Sequence, residues 1–151
     1  GTDWLLLVPP AHADLVATTA LGSALQPALQ DAALRFTVSA DEEHVTLKII
    51  SNGKVFDTKP RTHHYLLLTM ARQRLKDAAE GVPDSEAGWL HADDLQRMLR
   101  MDRRALNTQV FRARRQLGEL DLDGTGEIIE RRDPARQLRI GAKDIEITRP
   151  A

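Results

Sequence analysis

Residues 103–120 constrain this chain more than any other stretch. Apolar side chains recur there as Leu106, Val110, Ala113, Leu117 and Leu120, at spacings of four, three, four and three. That rhythm follows the 3.6-residue helical turn, so the five share one stripe that has to be buried against a partner surface. Asp102 stands just before the stretch, where its carboxylate is suited to cap the free N–H groups of a first turn. The opposite face then follows from the helical period: Arg104, Asn107, Thr108, Phe111, Arg112, Arg114 and Arg115. Between residues 100 and 117, six arginines (Arg100, Arg103, Arg104, Arg112, Arg114 and Arg115) meet a single acid, Asp102. The whole chain holds 21 Lys and Arg against 22 Asp and Glu, so the positive charge is local. A basic helical face is the electrostatic footprint of phosphate contact, and Arg reads guanine edges bidentately in the major groove. A solvated helix side, or a protein-contact surface, is the plainer alternative.

The neighbouring segments supply a frame. Residues 92–100 read as a second helix with Leu95, Met98 and Leu99 apolar, and only a few residues part it from the arginine-rich one, the spacing of a helix-turn-helix. Before it, Pro60 and a Thr62 N-cap open a helix to about residue 79 with Tyr65, Leu68, Ala71 and Leu75 inward. A loop of Gly, Pro, Asp and Ser follows at 80–88, then a short extended bridge at Trp89 and Leu90. Alternation predicts strands at 35–39 and 45–50, and Asn52-Gly53 signals a tight turn into a further strand at 55–58. Past the basic helix, residues 127–132 and 137–140 read as a hairpin carrying Arg131, Arg132 and Arg136, and 145–148 as a strand that extends its sheet. At the opening, residues 4–8 read as a strand stopped by Pro9 and Pro10, and 11–34 as a helix bent at Gly22 and Pro27.

Composition removes several classes of function. The chain has 151 residues and no Cys, which excludes thiolate catalysis, thiolate metal sites and disulfides. The apolar run at 4–8 is far shorter than the roughly 20 residues needed to span a bilayer, so no membrane association is expected and a cytoplasmic protein is. Glu119, Asp121, Asp123, Gly124 and Glu130 approach the spacing of a calcium loop. The first ligand is Glu, Gly126 fills the eighth position and no helix follows, so the segment reads as an acidic turn. The five histidines lack metal-ligand spacing, and Asp93-Asp94 complement a helix dipole. No metal, no cofactor and no catalytic residue is expected, and the chain reads as non-enzymatic.

The run from Asp102 to Gly118, with its Arg-Ala-Arg-Arg-Gln-Leu ending, resembles the recognition helix of OmpR/PhoB-type effector domains. Residues 89–99 are similar to that family's preceding strand and positioning helix, residues 128–140 to its wing, and 45–79 to its leading sheet and first helix. The resemblance spans about two thirds of the chain. It implies an α+β winged helix-turn-helix: a three-helix core, an N-terminal antiparallel sheet and a C-terminal wing hairpin, occupying residues 44–148. It further implies that Asn107, Thr108, Phe111 and Arg112 face the major groove, that Arg104, Arg114 and Arg115 hold phosphates, and that Arg132 or Arg136 works from the wing.

Residues 1–43 read as a strand-helix-strand extension outside the resemblance. Three roles are open to it: receiving a signal from a sensory domain upstream, self-association, or bracing the sheet. Gly1 in place of an initiator Met suggests a piece of a longer polypeptide. The expected function is sequence-specific binding of double-stranded DNA as the effector part of a bacterial transcription regulator, with dimerisation or tandem binding on repeated half-sites, because one such module buries little surface. The alternative is a winged-helix adaptor that binds protein within a larger signalling or defence protein. It is favoured by the neutral overall charge, the acidic loops, Phe111 and the short connection at 100–102.

Overall fold

The computed structural model describes residues 29–120 and 122–149. The expected strand at 4–8 and most of the expected helix at 11–34 lie outside them. The chain is α+β, with three helices and two sheets among the described residues: β1 (Ala33–Val38), β2 (Val45–Ser51), β3 (Lys54–Asp57), α1 (His64–Ala79), β4 (Leu90–His91), α2 (Ala92–Leu99), α3 (Arg103–Gly118), β5 (Ile129–Arg132), β6 (Gln137–Ile140) and β7 (Asp144–Thr148).

The first sheet runs β3-β2-β1-β7, and the second β4-β6-β5. Alternation sets the register of the first. Leu34, Phe36 and Val38 pair with Ile49, Leu47 and Val45, so six apolar side chains share one face, and all six are buried. Burial at every second residue is what pins antiparallel pairing, since a slip of one position would turn the whole set to solvent. Asn52 and Gly53 both take positive φ, 52° and 75°, to close the β2–β3 turn, which a Cβ tolerates poorly and glycine freely.

Two expectations are corrected here. Ala33 and Leu34 belong to β1 and pair with Ile50 and Ile49, so the predicted helix does not reach residue 34; cross-strand burial overrides helical spacing there. The last strand does not extend the hairpin sheet. β7 pairs parallel with β1, Ile145 beside Leu34 and Ile147 beside Phe36, and carries the C-terminal end of the described chain back to the first sheet.

α1 packs against β2, β6 and α3, so it bridges the two sheets. The consequence is burial of Leu66, Leu67, Leu68, Met70 and Ala71, a broader apolar surface than the Tyr65–Leu68–Ala71–Leu75 stripe that spacing predicts. Tyr65 and Leu75 are only partly buried. The helix also begins at His64, with His63 as a cap residue whose side chain caps nothing, rather than from a Thr62 cap. α3 keeps its predicted stripe: Leu106, Val110, Ala113 and Leu117 are buried. It ends at Gly118, two residues early, with Leu120 partly buried just beyond.

Candidate nucleic-acid interface

α3 is started by its own sequence. The Asp102 carboxylate accepts from the Ala105 N–H at 2.8 Å, the bond expected of an N-cap. The turn from α2 to α3 spans residues 100–102 and is closed by Arg100 in the left-handed region, with the Met101 N–H donating to the Gln96 carbonyl at 3.0 Å. With its leucines and valine turned inward, α3 leaves Arg103, Arg104, Asn107, Thr108, Phe111, Arg112 and Arg115 exposed. Phe111 is 62% exposed, and the Thr108 hydroxyl donates back to the Arg104 carbonyl at 3.0 Å.

Arg114 departs from that set. It sits on the flank of α3, half-buried, and its Nη2 donates to the Ile129 carbonyl at 2.8 Å. Burial, and then the neighbouring Arg131 charge, pull its pKa below the ordinary arginine value. A guanidinium committed to the β5 backbone positions the hairpin against the helix and is poorly placed to meet a phosphate.

The hairpin arginines divide in the same way. Arg132 stacks on the Trp89 ring at 4.4 Å, donates to Gln137 Oε1 at 2.9 Å and pairs with Glu86 at 3.2 Å. Arg139 covers the same ring at 4.6 Å, pairs with Glu130 at 2.5 Å, and donates to the carbonyls of Asp84, Ser85 and Ala87. Both guanidiniums thus lie over the Trp89 ring and are occupied in fixing the 84–89 loop. Arg131, one step away, takes the other side of the strand. It lines a cleft of about 180 Å³ between α3 and the hairpin together with Arg103, Asn107 and Arg136. Arg136 reaches Asp93 at 3.6 Å and stays about half exposed.

The predicted site residues therefore fall into two groups. Arg104, Asn107, Thr108, Phe111, Arg112 and Arg115 share the open face of α3, with Arg136 beside it across the cleft. Arg114 and Arg132 are held by the fold. Arg103 and Arg131 line that cleft yet stand outside the predicted site; for Arg131, strand alternation from buried Ile129 is the signal that separates it from Arg132. Among the described residues, Arg103, Arg104, Arg112 and Arg115 form no ion pair, so their charge is available to a ligand.

One polar hub was not foreseen. Gln116 Oε1 lies 2.6 Å from His63 Nε2 and 2.9 Å from His64 Nε2, while its Nε2 donates to the Lys59 carbonyl at 2.7 Å. Burial holds both histidines below the ordinary value of 6.5, against the opposing pull of the Gln116 bond. Two neutral imidazoles donating to one amide oxygen thereby tie α3 to the start of α1 and to the β3–α1 segment.

Among the described residues, no helix is long and apolar enough to cross a membrane, and no group of three or more His, Asp or Glu is placed to hold a metal ion. No protein-family model, curated protein or solved structure matches the chain.

Proposed function

We propose that residues 44–148 act as a winged helix-turn-helix module that binds double-stranded DNA, as the effector part of a bacterial transcription regulator in the cytoplasm. The observation that carries this reading is the face of α3: four exposed arginines that form no ion pair among the described residues, interleaved with Asn107, Thr108 and Phe111, on the second of two helices joined by a tight turn. In this reading α3 enters the major groove, Arg112 and Asn107 meet base edges, and Arg104 and Arg115 hold phosphates. The β5–β6 hairpin is the wing, and Arg131 and Arg136 are its contacts to the adjacent backbone. Binding as a dimer or in tandem supplies the surface that one module lacks.

Arg112→Ala is expected to lower affinity for a selected site by about 1–3 kcal/mol and to leave affinity for random duplex nearly unchanged. Fluorescence anisotropy on a duplex recovered by in vitro selection, set against a scrambled duplex, measures both. Equal losses on the two duplexes count against base reading by Arg112.

A second reading, a protein-binding adaptor, is favoured by one observation: Phe111, 62% exposed at the middle of the basic face. Large aromatic side chains anchor protein interfaces, and they also pack on thymine methyl groups. Phe111→Ala separates the two, because loss of a protein partner with DNA affinity retained supports the adaptor.

A further inference from the structure

The β3–α1 segment was not part of the site read from sequence, yet it meets the basic helix at a second cleft. This cleft encloses about 570 Å³ and is lined by Lys59 and Arg61 from one wall and by Arg112 and Arg115 from the other. Four cations thus face a common volume from two elements far apart in the chain. The acids on its rim are Asp57 and Glu119, and Asp57 is shared with Lys48 at 3.9 Å. Like charges held in one space repel, and a fold bears that cost more readily when a polyanion completes the site.

The walls are fixed before any ligand arrives. The Gln116 side chain donates to the Lys59 carbonyl and accepts from His63 and His64, and both histidines are buried. The spacing between the Lys59–Arg61 wall and α3 is therefore set by a hydrogen-bonded core rather than by the exposed cations themselves. The positive field reaches inward as well: Arg61 and Arg112 both disfavour protonation of His63. Preorganised cations lose less conformational freedom on binding than cations that must be gathered.

We infer that this cleft is a phosphate-binding site that takes a backbone phosphodiester of duplex DNA, with Lys59 and Arg61 clamping the strand opposite Arg115. The inference rests on the DNA-binding reading and deepens it. It adds a second element, outside the helix-turn-helix, to the proposed contact surface, on the flank of α3 away from the hairpin.

The test is a Lys59→Gln/Arg61→Gln double variant of the full chain, compared with wild type on a random-sequence duplex across a salt series, with thermal melts as a check on folding. Both side chains are exposed, so the melts should coincide. The expected result is a loss on the order of tenfold at moderate salt, the same for every duplex, and a log–log salt slope shallower by about 2. Addition of inorganic phosphate should shift the backbone amide resonances of Lys59, Arg61 and Gln116. If wild type binds duplex and the variant keeps its affinity and slope, the clamp is overturned while the DNA reading stands. If wild type binds no duplex but phosphate still shifts those amides, the DNA source is overturned, and the cleft serves a small phosphorylated ligand. If neither binds, both readings fall.

Discussion

Arg104, Arg112 and Arg115 of α3 and Arg132 and Arg139 of the hairpin sheet are the same residue type, and the fold uses them in opposite ways. On α3, Arg104, Arg112 and Arg115 project from a helix whose other side is filled with Leu106, Val110, Ala113 and Leu117; among the described residues nothing competes for their donors. On β5 and β6, Arg132 and Arg139 lie over the Trp89 ring and bind carboxylates and backbone carbonyls of the 84–89 loop. A guanidinium carries five donors, and what it contributes depends on how many of them the fold has already engaged. Arginine content alone does not separate an open basic face from a structural one; the engagement of its donors does.

That contrast can be broken most forcefully at Arg139. Arg139→Ala removes the Nη1 donation to the loop carbonyls, the ion pair to Glu130 and one of the two guanidiniums over Trp89, so it is expected to cost about 2–4 kcal/mol of unfolding free energy. Urea denaturation measures it, and a loss below about 0.5 kcal/mol would equate Arg139 with the open arginines. Arg115→Ala should do the reverse. It is expected to change stability by less than about 0.5 kcal/mol, to weaken all duplexes alike, and to reduce the salt slope by about 1. A destabilised Arg115→Ala with unaltered binding would erase the distinction between the two regions.

Much of α3 was legible because its determinants are local. A cap residue, a four-three apolar rhythm and the residues opposite it all lie within five turns. Arg114 was misread because it falls on the flank of the stripe, where only the position of β5 decides whether it meets water or the Ile129 carbonyl. Arg131 and Arg132 differ by one strand position, and Trp89, more than forty residues earlier, determines which of them is occupied. The parallel pairing of β7 with β1 leaves no local trace at all, since its partners lie some 110 residues apart. α1 was read as one-sided because spacing assumes one packing partner, whereas it packs between two sheets. His63 and His64 are adjacent in the sequence, but a glutamine hub has no sequence signature.

That hub supplies the smallest effect and sharpens the comparison from the interior. His63 and His64 have pKa values held below 6.5 by burial, so the folded state resists protons that the unfolded chain accepts. Above about pH 7 both states are neutral and stability is flat with respect to this pair. As pH falls through 6.5 the unfolded chain takes up protons first, and stability declines. Urea midpoints at pH 7.5 and 5.5 measure this above the range where carboxylates titrate. A lower midpoint at pH 5.5 is expected, and one that rises on acidification would contradict neutral, buried histidines.

The central claim is that the open face of α3 is where a duplex binds, and chemical-shift mapping of a duplex on the labelled protein tests it most directly. The largest perturbations are expected at Arg104, Asn107, Thr108, Phe111, Arg112 and Arg115, with smaller ones at Arg131 and Arg136 and little change at Trp89 and Arg139. Perturbations centred on Trp89 and the 84–89 loop, or no perturbation at any residue, would contradict it.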